Sequence, residues 1–155
     1  MRVGCTVLAG RAVPSGGTYR AVAEAVAGHL RNMQLDEPAE LRPFRAALGR
    51  LVPGWTGSLI GTDSRGGAGG DAAPDPVVML GEGLLRLLVA ATGSAGCLLL
   101  LEDLHWADAQ TVALVGYLAG AARSSPVLLA VSARDDQMAP PPGVAVADEL
   151  AGLAG

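Results

Sequence analysis

Two adjacent carboxylates, Glu102 and Asp103, close a run of four leucines, Leu98 to Leu101, that follows Gly96 and Cys97. An apolar run of this length, stopped abruptly by charge, fits a strand buried on both faces with its acids at the carboxyl end. Sheets of mixed α/β proteins place ligand sites there, although solvated acids at the end of a core strand would read the same way. Side chains alternate along a strand, so Glu102 and Asp103 are expected to point different ways and take different roles. Other chemistries are excluded more firmly. The chain has 11 basic side chains, every one an arginine, so Gly66-Gly67-Ala68-Gly69-Gly70 lacks the lysine that a phosphate-cradling loop requires and reads as flexible linker. No Gly-x-Ser-x-Gly occurs, which argues against a serine hydrolase. Cys5, His29, Cys97 and His105 have no metal-site spacing.

The segment Leu98 to Asp108, Leu-Leu-Leu-Leu-Glu-Asp-Leu-His-Trp-Ala-Asp, resembles the Walker B segment of the ATPase domain in large ATP-binding LuxR-type transcriptional regulators, of the STAND branch of AAA-like P-loop NTPases. Leu41 to Trp55, Leu80 to Leu88 and Ser132-Ala133-Arg134-Asp135-Asp136 fall in the order such domains use, so the resemblance covers nearly the whole chain. It implies ATP and Mg²⁺ as cofactors. Glu102 falls at the first Walker B acid, which holds the metal directly or through water, where most P-loop proteins have Asp. Asp103 falls at the second acid, which polarises the attacking water. Arg134 matches a sensor arginine that would contact the γ-phosphate; a surface arginine is the competing reading. Trp106 is expected to anchor the loop by packing, Asp108 to cap the next helix, and His105 receives no catalytic role.

These residues need elements to position them, and 155 residues suffice for one domain. Half the residues are hydrophobic but only 3% are aromatic, so the core must be built from Leu, Val and Ala. Val3 to Ala9 suits a short strand ending at Gly10. From Thr18, the residues Tyr19, Val22, Ala23, Val26, Leu30 and Met33 recur at helical spacing, with His29 on the solvated flank. After a start at Asp36 to Pro38, a second stripe, Leu41, Phe44, Leu48 and Leu51, stops at Pro53 and Gly54, with Trp55 capping it. Residues 57–76 shift to Gly, Ser, Asp and Pro and read as a surface loop. Leu80, Leu84, Leu87, Leu88 and Ala91 give a third helix over Val77 to Thr92. Val112, Val115, Leu118, Ala119 and Ala122 give a fourth, and Val127 to Val131 a third strand. Val144 to Leu153 could form a last short helix. Strands joined by helical connections imply right-handed crossovers and a parallel sheet. The expected fold is therefore α/β, a partial P-loop NTPase-type three-layer fold in which helices flank a short parallel sheet of three strands.

A net charge of −4 with scattered arginines argues against a nucleic-acid surface. No secretory signal is visible, and the most apolar window, Leu84 to Leu101, is interrupted by Arg86 and Gly93 to Gly96. A soluble, cytoplasmic protein is expected, with Cys5 and Cys97 reduced and buried. By resemblance, Met1 stands where the second strand of such a domain begins, so an interior piece of an NTPase domain is expected. Its partners would be nucleotide and either the rest of the parent domain or, through an apolar edge at Val127 to Val131, another copy of itself. Two functions stay open: the Walker B and sensor part of a regulatory ATPase, unable to bind ATP tightly alone, or a non-catalytic remnant that serves as an interaction module.

Overall fold

The computed structural model describes residues 4–30, 38–52 and 75–134. Met33, Asp36, Trp55, most of the 57–76 loop and the 144–153 segment lie outside the described residues. The elements are β1 (Thr6–Arg11), α1 (Arg20–Leu30), a 3₁₀ turn (Ala39–Phe44) running into the single turn α2 (Arg45–Leu48), α3 (Pro76–Thr92), β2 (Cys97–Glu102), α4 (Ala109–Ala121) and β3 (Val127–Val131). The three strands are all parallel, in the order β1-β2-β3. The expected α/β fold, with helices packed on a three-stranded parallel sheet, is the observed one.

Several boundaries moved. β1 begins at Thr6, with Gly4 and Cys5 outside it, and does not stop at Gly10 but runs on to Arg11. A Cβ at Gly10 would lie 1.9 Å from the Ala21 carbonyl oxygen, so this glycine is where α1 crosses the strand. α1 itself begins at Arg20, because Tyr19 takes a φ of 60° and donates its backbone N–H to Thr111 Oγ1 at 2.9 Å. The second apolar stripe is present in Leu41, Leu48 and Leu51, all buried. It is not one helix: Pro43 lies inside it, and the missing N–H leaves a 3₁₀ turn before one turn of α-helix.

α3 starts where Asp75 accepts the Val77 N–H at 2.7 Å with Pro76 as its first residue, and it ends at Gly93 with φ 59°. It is long and apolar enough to cross a bilayer by composition. Its Leu80, Leu84, Leu87 and Leu88 instead enter the core. Glycines let its neighbours approach: a Cβ at Gly81 would meet the Tyr117 ring at 2.2 Å, and one at Gly83 would meet Phe44 Cβ at 2.7 Å. Tyr117 donates its hydroxyl to Glu82 at 2.8 Å. Burial, and then the hydrogen bond to this carboxylate, push the phenol above its ordinary value.

β2 is buried on one face only. Cys97, Leu99 and Leu101 are covered, whereas Leu98 and Leu100 are half-buried. The uncovered face continues into Val7 and Leu128, the register partners of Leu98, which are 58% and 66% exposed. The strand is thus less enclosed than its leucine run suggested. Cys97 is buried as expected, and burial raises its thiol pKa while Thr92 opposes the shift. Cys5 is exposed, because it precedes the strand. His29 is half-buried rather than solvated, and its Nε2 is shielded without a partner.

Gly10 offers a direct test of this packing. Gly10→Ala should destabilise the fold by about 3 kcal/mol or more, because the methyl would collide with helix backbone. Gly28→Ala, where nothing lies within 4 Å, should instead be neutral or stabilising by up to about 1 kcal/mol. Urea unfolding followed by circular dichroism distinguishes them, and equal midpoints for the two variants would refute the crossing.

Candidate functional site

The site is the carboxyl edge of the sheet. Parallel pairing places Arg11 opposite Glu102 and Leu101 opposite Val131, so the chain ends leaving all three strands emerge together. Glu102 is the last residue of β2. Asp103 leaves the strand in a left-handed conformation, φ 57° and ψ 37°, and a short 3₁₀ turn, Leu104–Trp106, follows. Asn and Asp tolerate this region better than most residues, which suits a tight exit here.

That turn overrides strand alternation. Arg11 Nη2 lies 3.4 Å from Glu102 Oε2, and Arg11 Nε lies 3.5 Å from Asp103 Oδ2. The two acids therefore share one guanidinium instead of pointing apart. The side chains are 57% exposed for Arg11, 40% for Glu102 and 32% for Asp103, so solvent screens both pairs and they add little stability. Arg11 was missed in the sequence because Gly10 read as the strand's end. Read as a crossing point, the same glycine would have carried the strand one residue further, to the edge.

The segment after β3 is fastened to the acid turn. Ser132 donates its N–H to the Leu101 carbonyl at 2.9 Å, and Leu104 donates to the Ser132 carbonyl at 2.9 Å. Asp103 N–H reaches Ser132 Oγ at 3.3 Å. Arg134, two residues on, is exposed and donates its backbone N–H to His105 Nδ1 at 3.4 Å. Among the described residues no ion pair joins Arg134 to either acid. Glu102, Asp103 and the Arg134 backbone are thus gathered at one edge, and the guanidinium in contact with the acids is that of Arg11.

The loop beyond the acids is anchored differently from expectation. Leu104 enters the core at 0% exposure, whereas Trp106 is 47% exposed, its ring tilted against His105 with centroids 5.1 Å apart. In the tight turn it is Leu104, not Trp106, that faces inward. Asp108 caps α4 as expected: its Oδ1 accepts from Gln110 N at 3.0 Å and Thr111 N at 3.1 Å. Thr111 returns its hydroxyl to Asp108 Oδ2 while accepting from Tyr19 N. One cap therefore ties α4 to the start of α1.

Among the described residues no group of three or more His, Cys, Asp or Glu side chains could hold a metal ion. Two carboxylates at an open edge nevertheless suit Mg²⁺, a hard cation that usually takes one or two carboxylates and completes its shell with water and phosphate oxygens. The donor set fits that ion better than zinc, which would want His or Cys.

A parallel α/β sheet with acids where its central strand ends matches a partial P-loop NTPase-like fold. A family model for an AAA ATPase domain matches residues 3–130, most of the chain. The chain belongs to the AAA ATPase family, whose members in general use nucleotide and Mg²⁺. No curated protein and no solved structure matches it.

The site's architecture separates structural from chemical residues. Asp108→Ala should cost about 1 to 2 kcal/mol, since it removes the cap and leaves Thr111 without an acceptor. Arg11→Gln should change stability by less than about 1 kcal/mol. Chemical denaturation of both variants checks the contrast, and an Arg11→Gln loss as large as that of Asp108→Ala would contradict it.

Proposed function

We propose that these residues supply the metal-holding and water-activating part of an ATP-hydrolysing site in a regulatory AAA ATPase of the LuxR-type, STAND branch. The observation that carries this reading is the pair of carboxylates at the carboxyl end of the central strand, beside the fastened Arg134 segment. Glu102 would hold Mg²⁺ directly or through water. Bound there, the ion would neutralise charge developing on the phosphate oxygens. Asp103 would orient the attacking water and accept its proton, a positioning task in which geometry outweighs intrinsic basicity. Arg134 would meet the γ-phosphate once its exposed side chain turns to the edge. Arg11 pairs with both acids and offsets one of their two charges, and would yield at least one of them when metal arrives.

The lysine that reaches the β and γ oxygens in such sites is not among these 155 residues. The acids by themselves repel a triphosphate, so tight ATP binding belongs to a site completed by a phosphate-binding loop. A non-catalytic interaction module is the second reading, favoured by Arg11 engaging both acids at once.

Two measurements separate the readings. Placed in one polypeptide with a Gly-x-x-x-x-Gly-Lys loop, Asp103→Asn should abolish turnover and keep ATP binding, and Glu102→Gln should weaken Mg²⁺-dependent binding. Equal turnover in wild type and Asp103→Asn would sink the catalytic assignment. For the 155 residues alone, millimolar Mg-ATP should leave the melting temperature unmoved. Ligand at ~100 times its Kd would stabilise by about 2.7 kcal/mol, or roughly 5 to 10 °C. A shift of that size, lost in Glu102→Gln, would mean that these residues already form a nucleotide site.

A further inference from the structure

We propose that His105 is a positioning residue: it ties the backbone of Arg134 to the turn carrying Asp103, so that the arginine leaving β3 and the acid leaving β2 are held as one unit. This deepens the reading given above and rests on Asp103 and Arg134 acting at a nucleotide's phosphates.

The pairing of β2 with β3 ends at Leu101 opposite Val131. Beyond it, three hydrogen bonds join Ser132 to Leu101, Asp103 and Leu104. They fix Ser132 but do not reach Arg134. Among the described residues, the hydrogen bond that does is the donation of Arg134 N–H to His105 Nδ1 at 3.4 Å. The imidazole is itself well placed. Its turn is closed by Trp106 N–H to the Asp103 carbonyl at 3.0 Å and Ala107 N–H to the Leu104 carbonyl at 2.9 Å. Leu104, one residue before it, is fixed in the core.

Accepting at Nδ1 leaves the proton of the neutral ring on Nε2. Nε2 is shielded from solvent and has no partner, and a buried donor without an acceptor costs stability. An apolar side chain would avoid that cost. What the imidazole supplies in exchange is the Nδ1 acceptor, aimed at the Arg134 backbone. Because Asp103 lies two residues before His105, any shift of the acid turn would carry the Arg134 segment with it.

Side-chain geometry gives a selective test. Asparagine places its Oδ1 at about the reach of histidine Nδ1, whereas glutamine places its oxygen one bond further out, near the reach of Nε2. Hydrogen exchange of the Arg134 amide, with Val127–Val131 as internal reference, is measured by NMR on the whole 155-residue chain. Imidazole ¹⁵N shifts report the tautomer in the wild type. We expect an Nε2–H ring, and exchange at Arg134 faster by roughly tenfold in His105→Leu with β3 unchanged. His105→Asn should restore protection and His105→Gln should not. An Nδ1–H ring, unchanged Arg134 exchange in His105→Leu, or exchange in His105→Asn as fast as in His105→Leu would each overturn the proposal. If His105→Leu loosens β3 as well, the wild-type tautomer decides. Confirmation here beside full turnover in Asp103→Asn would keep the tether and refute its nucleotide role.

Discussion

Parallel pairing in a single register is the constraint on which everything else in this chain depends. It sets Arg11 beside Glu102 and Val131 beside Leu101, and a slip of one residue would send every side chain to the opposite face. Register is held by packing. Leu8 faces the core with Leu99 and Leu101, while Gly10 admits the α1 backbone where any side chain would collide. That contact lets β1 extend to Arg11, and so it indirectly delivers the cation to the two acids.

The core that maintains this register is built mainly of leucine, with Ala21, Val22, Ala25 and Val26 of α1 as its small-residue side. Leu41, Leu48, Leu51, Leu80, Leu84, Leu87 and Leu88 on the helical layer meet Leu99 and Leu101 on the sheet. With few aromatics to fill volume, close approach is achieved by glycines under Tyr117 and Phe44. The carboxyl edge is built on other terms. Its charges are partly exposed and mutually paired, and its backbone is fixed by hydrogen bonds around the single buried anchor Leu104. Stability and chemistry are thereby separated, so the edge can change its partners without loosening the core.

Much of this was legible in the sequence, and the gaps have physical causes. The four-leucine run, the helical stripe of α3 and the Asp108 cap are local signals, and each appears where its period or spacing placed it. In α4, Val112, Val115 and Leu118 are buried as expected, but Leu114 joins them while Ala119 and Ala122 are only half-buried. Glycine was ambiguous: Gly10 looks like a strand terminus when only neighbours in sequence are considered, because the α1 backbone that needs the space comes from residues further along. Pro43 broke a stripe whose apolar positions were otherwise correct. The shared contact of Glu102 and Asp103 with Arg11 was hidden by strand alternation, which fails once Asp103 adopts positive φ. The link from His105 to Arg134 joins residues 29 apart in sequence and leaves no local pattern.

The acid pair thus stands at the end of the central strand, held by a guanidinium that a hard cation could replace, with the Arg134 backbone fastened alongside. Metal binding at this edge can be detected even when weak, through paramagnetic broadening of backbone amide signals during Mn²⁺ titration without nucleotide. A metal-holding edge predicts that Glu102, Asp103 and Ala12 lose intensity first, while Glu82 and Asp75 stay sharp. Uniform broadening, or first loss around Glu82 or Asp75, would contradict it.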